Sequence, residues 1–163
     1  MTSNHEKILI SACLLGDRVR HDGICKSLGD ERIRQWSDQG RLIKYCPEVA
    51  GGLSTPRPAA EIEGANAEGV FNGLTRVITA QGTDLSSAFL KGAQATLALA
   101  QEHNIKFALF KAYSPSCGNE YVYNGRFDGA LTRGIGVTTA LLWRHGVRVF
   151  NELQLDELEE ALG

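Results

Sequence analysis

Five short apolar runs constrain this chain most: Lys7–Ala12, Arg41–Tyr45, Arg76–Thr79, Phe107–Lys111 and Val147–Phe150. Each is too short for a helix and is rich in Ile, Leu, Val or Phe, as buried strands are. Between them lie helix-length segments: Leu28 to Gln39, stopped by Gly40; a long helix capped by Thr83 or Asp84 and running to about His103; Val137 to Arg144, stopped by Gly146; and Leu153 to Leu162. In the long helix Phe89, Ala93, Leu97 and Ala100 fall on one face. Strands alternating with helices predict an α/β fold, a parallel sheet flanked by helices with right-handed crossovers. No repeat, linker or low-complexity tract interrupts the 163 residues, so residues 1–163 are read as a single domain.

Two stretches escape this pattern. From Cys46-Pro47 to about Gly69 the chain is rich in Gly, Pro and Ala and weak in periodicity, which reads as a long functional loop. Tyr121 to Phe127 reads as a small hairpin around the Asn124-Gly125 turn.

The formal net charge is -2. Proteins that grip nucleic-acid backbones usually carry a basic excess, so the charge argues against a nucleic-acid partner. No apolar run approaches a membrane span, and Met1 to Lys7 lacks the apolar stretch of a secretory signal. The expected location is the cytoplasm, where thiols stay reduced, so the four cysteines are read as metal ligands or catalysts rather than disulfides.

Three of those cysteines follow predicted strands: Cys13, Cys46 and, after a short loop, Cys117. In a parallel sheet all strands end at the same rim, where ligands bind in open α/β folds. Topology therefore predicts that the three thiols meet. The alternative for any single cysteine is a small buried hydrophobe. Gly51-Gly52 after Cys46 and Gly118 after Cys117 suggest backbone passing close to an inorganic group and presenting N–H groups to it. None of the cysteines is paired in a C-x-x-C spacing of the kind common in zinc sites, so an iron–sulfur cluster with one iron left open is the first reading. Zinc on Cys13, Cys46, Cys117 and His21 is the alternative. Cys25 follows no strand and reads as incidental, though within reach as a fourth ligand.

Glu48 stands two residues after Cys46, close enough to activate water or carry a proton at such a centre. Ser114 and Ser116 flank Pro115 just before Cys117 and can bond a substrate or satisfy loop backbone. Arg57, stiffened between Pro56 and Pro58, can position an anionic or carbonyl oxygen, or pair with Glu61. Lys111 ends a strand at the same rim and can simply snorkel there. Gly134-Ile135-Gly136 lacks the phosphate-loop signature and reads as a helix start.

Taken in order, Cys13-Leu14-Leu15-Gly16, Cys46-Pro47-Glu48 with Gly51-Gly52-Leu53, Pro56-Arg57-Pro58, Ser114-Pro115-Ser116-Cys117-Gly118 and Gly136-Val137-Thr138 with Val149-Phe150 resemble a bacterial family once known as a domain of unknown function and now represented by 2-thiouracil desulfurase (thiouracil desulfidase). The resemblance spans nearly the whole chain. It implies a Rossmann-like α/β domain with a [4Fe-4S] cluster on Cys13, Cys46 and Cys117, a catalytic Glu48 and a catalytic Ser114, with Cys25 outside the pattern. It implies conversion of 2-thiouracil to uracil without net redox, the sulfur leaving as hydrosulfide by way of the cluster. Arg57 and Ser116 are then candidates for binding the small thiolated base. The other readings are a thiolated nucleoside or tRNA as substrate, a cluster-bearing sensor or sulfur carrier without turnover, and a zinc-stabilised domain.

Overall fold

The computed structural model describes residues 6–16 and 29–163. Four strands form the parallel sheet: β1 (Ile8–Ser11), β2 (Leu42–Tyr45), β5 (Phe107–Phe110) and β8 (Arg148–Asn151), in the order β2-β1-β5-β8. The chain leaves β1 toward β2 on one side and later returns to β5 on the other, so the switch of direction lies between β1 and β5. In doubly wound folds that crevice is where ligands sit.

Period-2 alternation sends successive side chains to opposite faces. Ile8 and Ile10 join Leu109 and Phe150 beneath α1 (Glu31–Asp38) and α6 (Leu155–Leu162), contacting Ile33, Trp36, Leu155 and Leu158. Leu9, Ala108, Phe110 and Val149 face the other way, onto Ala100 of α4 (Ser86–Glu102) and Leu142 of α5 (Val137–Arg144). The Ile8, Leu9 and Ile10 side chains are fully buried, as expected of a central strand covered on both faces. Asp30 caps α1 by accepting from the Arg32 backbone N–H at 2.8 Å. Asp84 accepts from the Ser86 N–H at 2.9 Å at the start of α4.

Arg76–Thr79 does not enter the parallel sheet. Its core, β4 (Val77–Thr79), pairs antiparallel with β3 (Ala60–Ile62), inside the stretch read as loop. That stretch also holds α2 (Pro47–Ala50) and α3 (Ala67–Asn72). These elements are too short to show a period, and they are stabilised by packing: Ile62, Val70 and Val77 meet Phe89, Ala93 and Val137 in a separate apolar cluster. The hairpin also differs from expectation. β6 (Tyr121–Tyr123) pairs with β7 (Leu131–Arg133), and Asn124 opens a longer loop instead of a two-residue turn. The Gly125 and Phe127 N–H groups are occupied by the Glu61 carboxylate, at 2.9 and 3.2 Å, so they cannot begin a return strand.

Candidate active site

The cysteines arrive at the rim by three local devices. Cys13 lies in a 3-10 turn, Ala12–Leu15, that continues β1 and closes on Gly16 in the left-handed region. Cys46 is the extended residue preceding α2, with Pro47 at the first helical position, where a missing N–H costs nothing. Cys117 stands in the loop after β5, and α5 grips that loop from behind. The Val137 N–H donates to Pro115 O at 2.8 Å and the Thr138 N–H to Ser116 O at 2.9 Å, so the open donors of the helix start are satisfied by the cysteine loop. Thr139 Oγ1 adds a bond to Cys117 O at 2.9 Å.

Two close approaches fix this frame. A Cβ on Gly136 would stand 2.3 Å from the Ser116 carbonyl carbon, so the entry to α5 lies directly against the cysteine loop. Gly51 and Gly92 let α2 and α4 touch backbone to backbone, since a Cβ on either would stand 2.0 Å from a carbonyl oxygen of the other helix. The N–H groups of Gly51, Gly52 and Gly118 donate to Pro47 O, Val49 O and Ser114 O. The glycines beside the cysteines therefore serve helix packing and turn closure, not presentation of N–H groups to a bound group.

Cys13, Cys46 and Cys117 line one cavity of about 350 Å³, together with Glu48, Arg57, Ser114 and Ser116. The three cysteines of the first reading, with Glu48, Arg57, Ser114 and Ser116, thus reach the same space. His21 and Cys25 lie outside the described residues. Among the described residues no three His, Cys, Asp or Glu side chains close around a single-ion position. The three thiols stand around a cavity instead.

A polar chain runs along one wall. Arg57 donates to Glu48 Oε1 from Nε at 3.2 Å and from Nη2 at 3.0 Å, and its Nη1 is held by Ser54 O and Thr55 Oγ1. The alternative Arg57–Glu61 pairing gives way to this one, and Glu61 instead holds the loop after β6. The other oxygen, Glu48 Oε2, accepts from Ser116 Oγ at 3.0 Å, and Ser116 Oγ lies 3.0 Å from Ser114 Oγ. With the Ser116 proton directed at Glu48, Ser114 is the donor between the two hydroxyls. Ser114 Oγ in turn accepts from the Ser116 and Cys117 N–H groups at 3.1 and 2.9 Å, so both uses read from the sequence, loop bonding and a cavity hydroxyl, occur together.

Burial pushes the Cys46 thiol above its ordinary value. Burial does the same more strongly for Cys117; its bond with Ser116 pulls back, and Glu48, Cys46 and Cys13 add to the rise. Cys46 and Cys117 thus resist ionisation in this space, and a cationic centre beside them reverses that cost.

Three further residues reach the cavity, and of these only Lys111 was read from the sequence at this rim. Ser11, buried at the end of β1, accepts from the Lys111 N–H at 3.0 Å and approaches Cys117 Sγ at 3.9 Å; its trace is a polar residue closing an apolar strand. Lys111 lines the cavity while its ammonium pairs with Glu152 at 2.7 Å. Tyr123 reaches the cavity from the hairpin.

The model of the 2-thiouracil desulfurase family matches residues 8–154. An uncharacterized protein, YbbK of Bacillus subtilis strain 168, is 42% identical over 151 residues, covering 93% of this chain and 99% of that protein. Among solved structures, a [4Fe-4S]-dependent thiouracil desulfidase, TudS, superposes with a TM-score of 0.88 at 48% identity, over 96% of this chain and 97% of that one.

Proposed function

The chain belongs to the 2-thiouracil desulfurase family, and we propose that it converts 2-thiouracil to uracil with a [4Fe-4S] cluster held by Cys13, Cys46 and Cys117. The observation that carries this reading is the convergence of three thiols and the Arg57–Glu48–Ser116–Ser114 chain on one cavity. The donor set suits the group: three thiolates favour iron–sulfur ligation, and their mutual crowding in a buried space is relieved by cationic iron. When bound, the cluster supplies a Lewis-acidic iron for the soft thiocarbonyl sulfur.

The remaining chemistry belongs to the chain. The reaction exchanges C=S for C=O with water as the oxygen source, so one water is consumed, hydrosulfide leaves and no electrons are gained or lost. Glu48 takes a proton from the attacking water, because its carboxylate faces the cavity and its orientation is fixed by Arg57. Ser116 connects Glu48 Oε2 to Ser114, which gives the proton a defined route along the wall toward the departing sulfur. Ser116 also offers its hydroxyl oxygen to the edge of the base, since Ser114 Oγ is fully used by Ser116 and two backbone N–H groups. Among the described residues no helix is long and apolar enough to cross a membrane.

The test is anaerobic reconstitution followed by assay with 2-thiouracil. We expect about four irons and four sulfides per chain, uracil and hydrosulfide in equal amounts, and loss of turnover with the cluster retained in Glu48→Gln. A loaded protein that leaves 2-thiouracil intact refutes the proposal, and full activity of Glu48→Gln refutes the role of that carboxylate.

A further inference from the structure

A planar heterocycle asks two things of its pocket: polar groups along its edge and a flat surface for its face. The edge groups are those of the Glu48–Ser116–Ser114 wall. The cavity is also lined by three aromatic rings: Tyr45, Tyr113 and Tyr123. Tyr45 packs into the apolar cluster on the α4 and α5 side of the sheet. Tyr113 carries the Lys111 ammonium 5.7 Å from its ring centre. Tyr123 differs from both. It is 38% exposed, while Val122 beside it is 1% exposed, so strand alternation turns the Tyr123 ring outward at the cavity wall.

The backbone that carries this ring is held on both sides of Tyr123. The Val122 backbone bridges to Tyr113, which ties the hairpin to the loop leading to Cys117. Just beyond Tyr123, Glu61, itself 9% exposed, accepts from Gly125 and Phe127 N–H groups. A Cβ at Gly125 would stand 2.5 Å from Ile62 O, so the loop is pressed against the end of β3. A strand end anchored on both sides of an exposed tyrosine, at the wall of a site for a flat base, offers a stacking surface.

From this placement, and resting on the function proposed above, we infer that Tyr123 stacks on one face of the thiolated pyrimidine and makes the site select planar, unsaturated rings over saturated ones of the same outline. Stacking of a base on an aromatic side chain is sequence-tolerant and is lost when the ring is removed.

The experiment compares cluster-loaded wild type, Tyr123→Phe and Tyr123→Ala. Calorimetry measures the binding of uracil and of 5,6-dihydrouracil, which share their carbonyl and N–H edges but differ in planarity, and steady-state assays give KM for 2-thiouracil. Wild type should bind uracil about tenfold more tightly than dihydrouracil. Tyr123→Ala should weaken uracil about tenfold and dihydrouracil far less, so the preference collapses, with the loss in turnover falling mainly on KM. Tyr123→Phe should keep the preference. An active wild type whose uracil preference survives in Tyr123→Ala overturns the stacking role alone. A loaded wild type that neither binds uracil nor desulfurates 2-thiouracil overturns the functional reading with it.

Discussion

Arg57 places two hydrogen bonds on one oxygen of Glu48 and none on the other, which is left to Ser116. The Arg57 side chain is 4% exposed and that of Glu48 16%, so water competes weakly for either. Lysine cannot reproduce two bonds from a rigid fork. Arg57→Lys should therefore keep full iron content and lower kcat about tenfold to a hundredfold by loosening the carboxylate. Iron analysis beside steady-state kinetics checks it; a variant that loses its iron would make Arg57 a determinant of cluster retention instead.

The two serines should separate by stability. Ser114 Oγ is the acceptor for two backbone N–H groups, and removing it leaves them without that partner at about 1–3 kcal/mol each. Ser116→Ala removes a hydroxyl whose bonds are to Glu48, Ser114 and Cys117. Both variants should lose at least about tenfold in kcat as the proton route is cut. Thermal unfolding should fall clearly for Ser114→Ala and little for Ser116→Ala; equal losses in Tm would contradict the division of labour.

Gly136→Ala should damage the metal site from behind. The added methyl would overlap the Ser116–Cys117 peptide, 2.6 Å from the Cys117 nitrogen. Overpacking of this kind costs about 1–3 kcal/mol and is relieved by moving the loop that carries Cys117. Iron bound per chain should drop below that of wild type. Gly29→Ala, where nothing stands within 4 Å, is the matched control and should bind iron normally.

The cluster-free protein should lose stability in alkali. Cys46 and Cys117 are both raised by burial from an unfolded value of about 9.0. Below that pH both states keep the protons and stability is fully present. Above it the unfolded chain releases them first, so the folded state is disfavoured by up to about 1.4 kcal/mol per pH unit for each thiol until the folded value is passed. Tm of the cluster-free form should therefore fall between about pH 9 and 10, less steeply in Cys117→Ala. The loaded form should be flatter there, since its thiols are already ionised as ligands. A cluster-free form with constant Tm across that range would contradict the burial argument.

The rim was legible because each of Cys13, Cys46 and Cys117 stands beside an apolar run, and a parallel sheet turns three such ends into one place. Ser114, Ser116, Glu48 and Arg57 were legible as neighbours of those cysteines or of prolines. Their partners were not. The choice of Glu48 over Glu61 by Arg57 depends on α2 being docked on α4, a contact between Gly51 and Gly92 that no local pattern encodes. β3 was hidden for the same reason, and with it the antiparallel pairing that keeps the expected strand β4 out of the parallel sheet: a three-residue strand carries no usable period and is stabilised by a cluster assembled from distant segments. Tyr123 went unmarked because an outward tyrosine on a strand looks ordinary until the strand is placed beside a cavity.

The order of strands in the sheet also has a bearing on how such a protein matures. Cys13 and Cys46 come from neighbouring strands formed early in the chain, whereas Cys117 joins them through β5, which pairs with β1 across most of the sequence. A nascent chain cannot capture an inorganic cofactor at a local cysteine cluster here, as a C-x-x-C protein does. The pocket comes into being with the tertiary structure, so cofactor delivery falls after folding, and any donor of iron and sulfide must address a finished rim rather than an unfolded polypeptide.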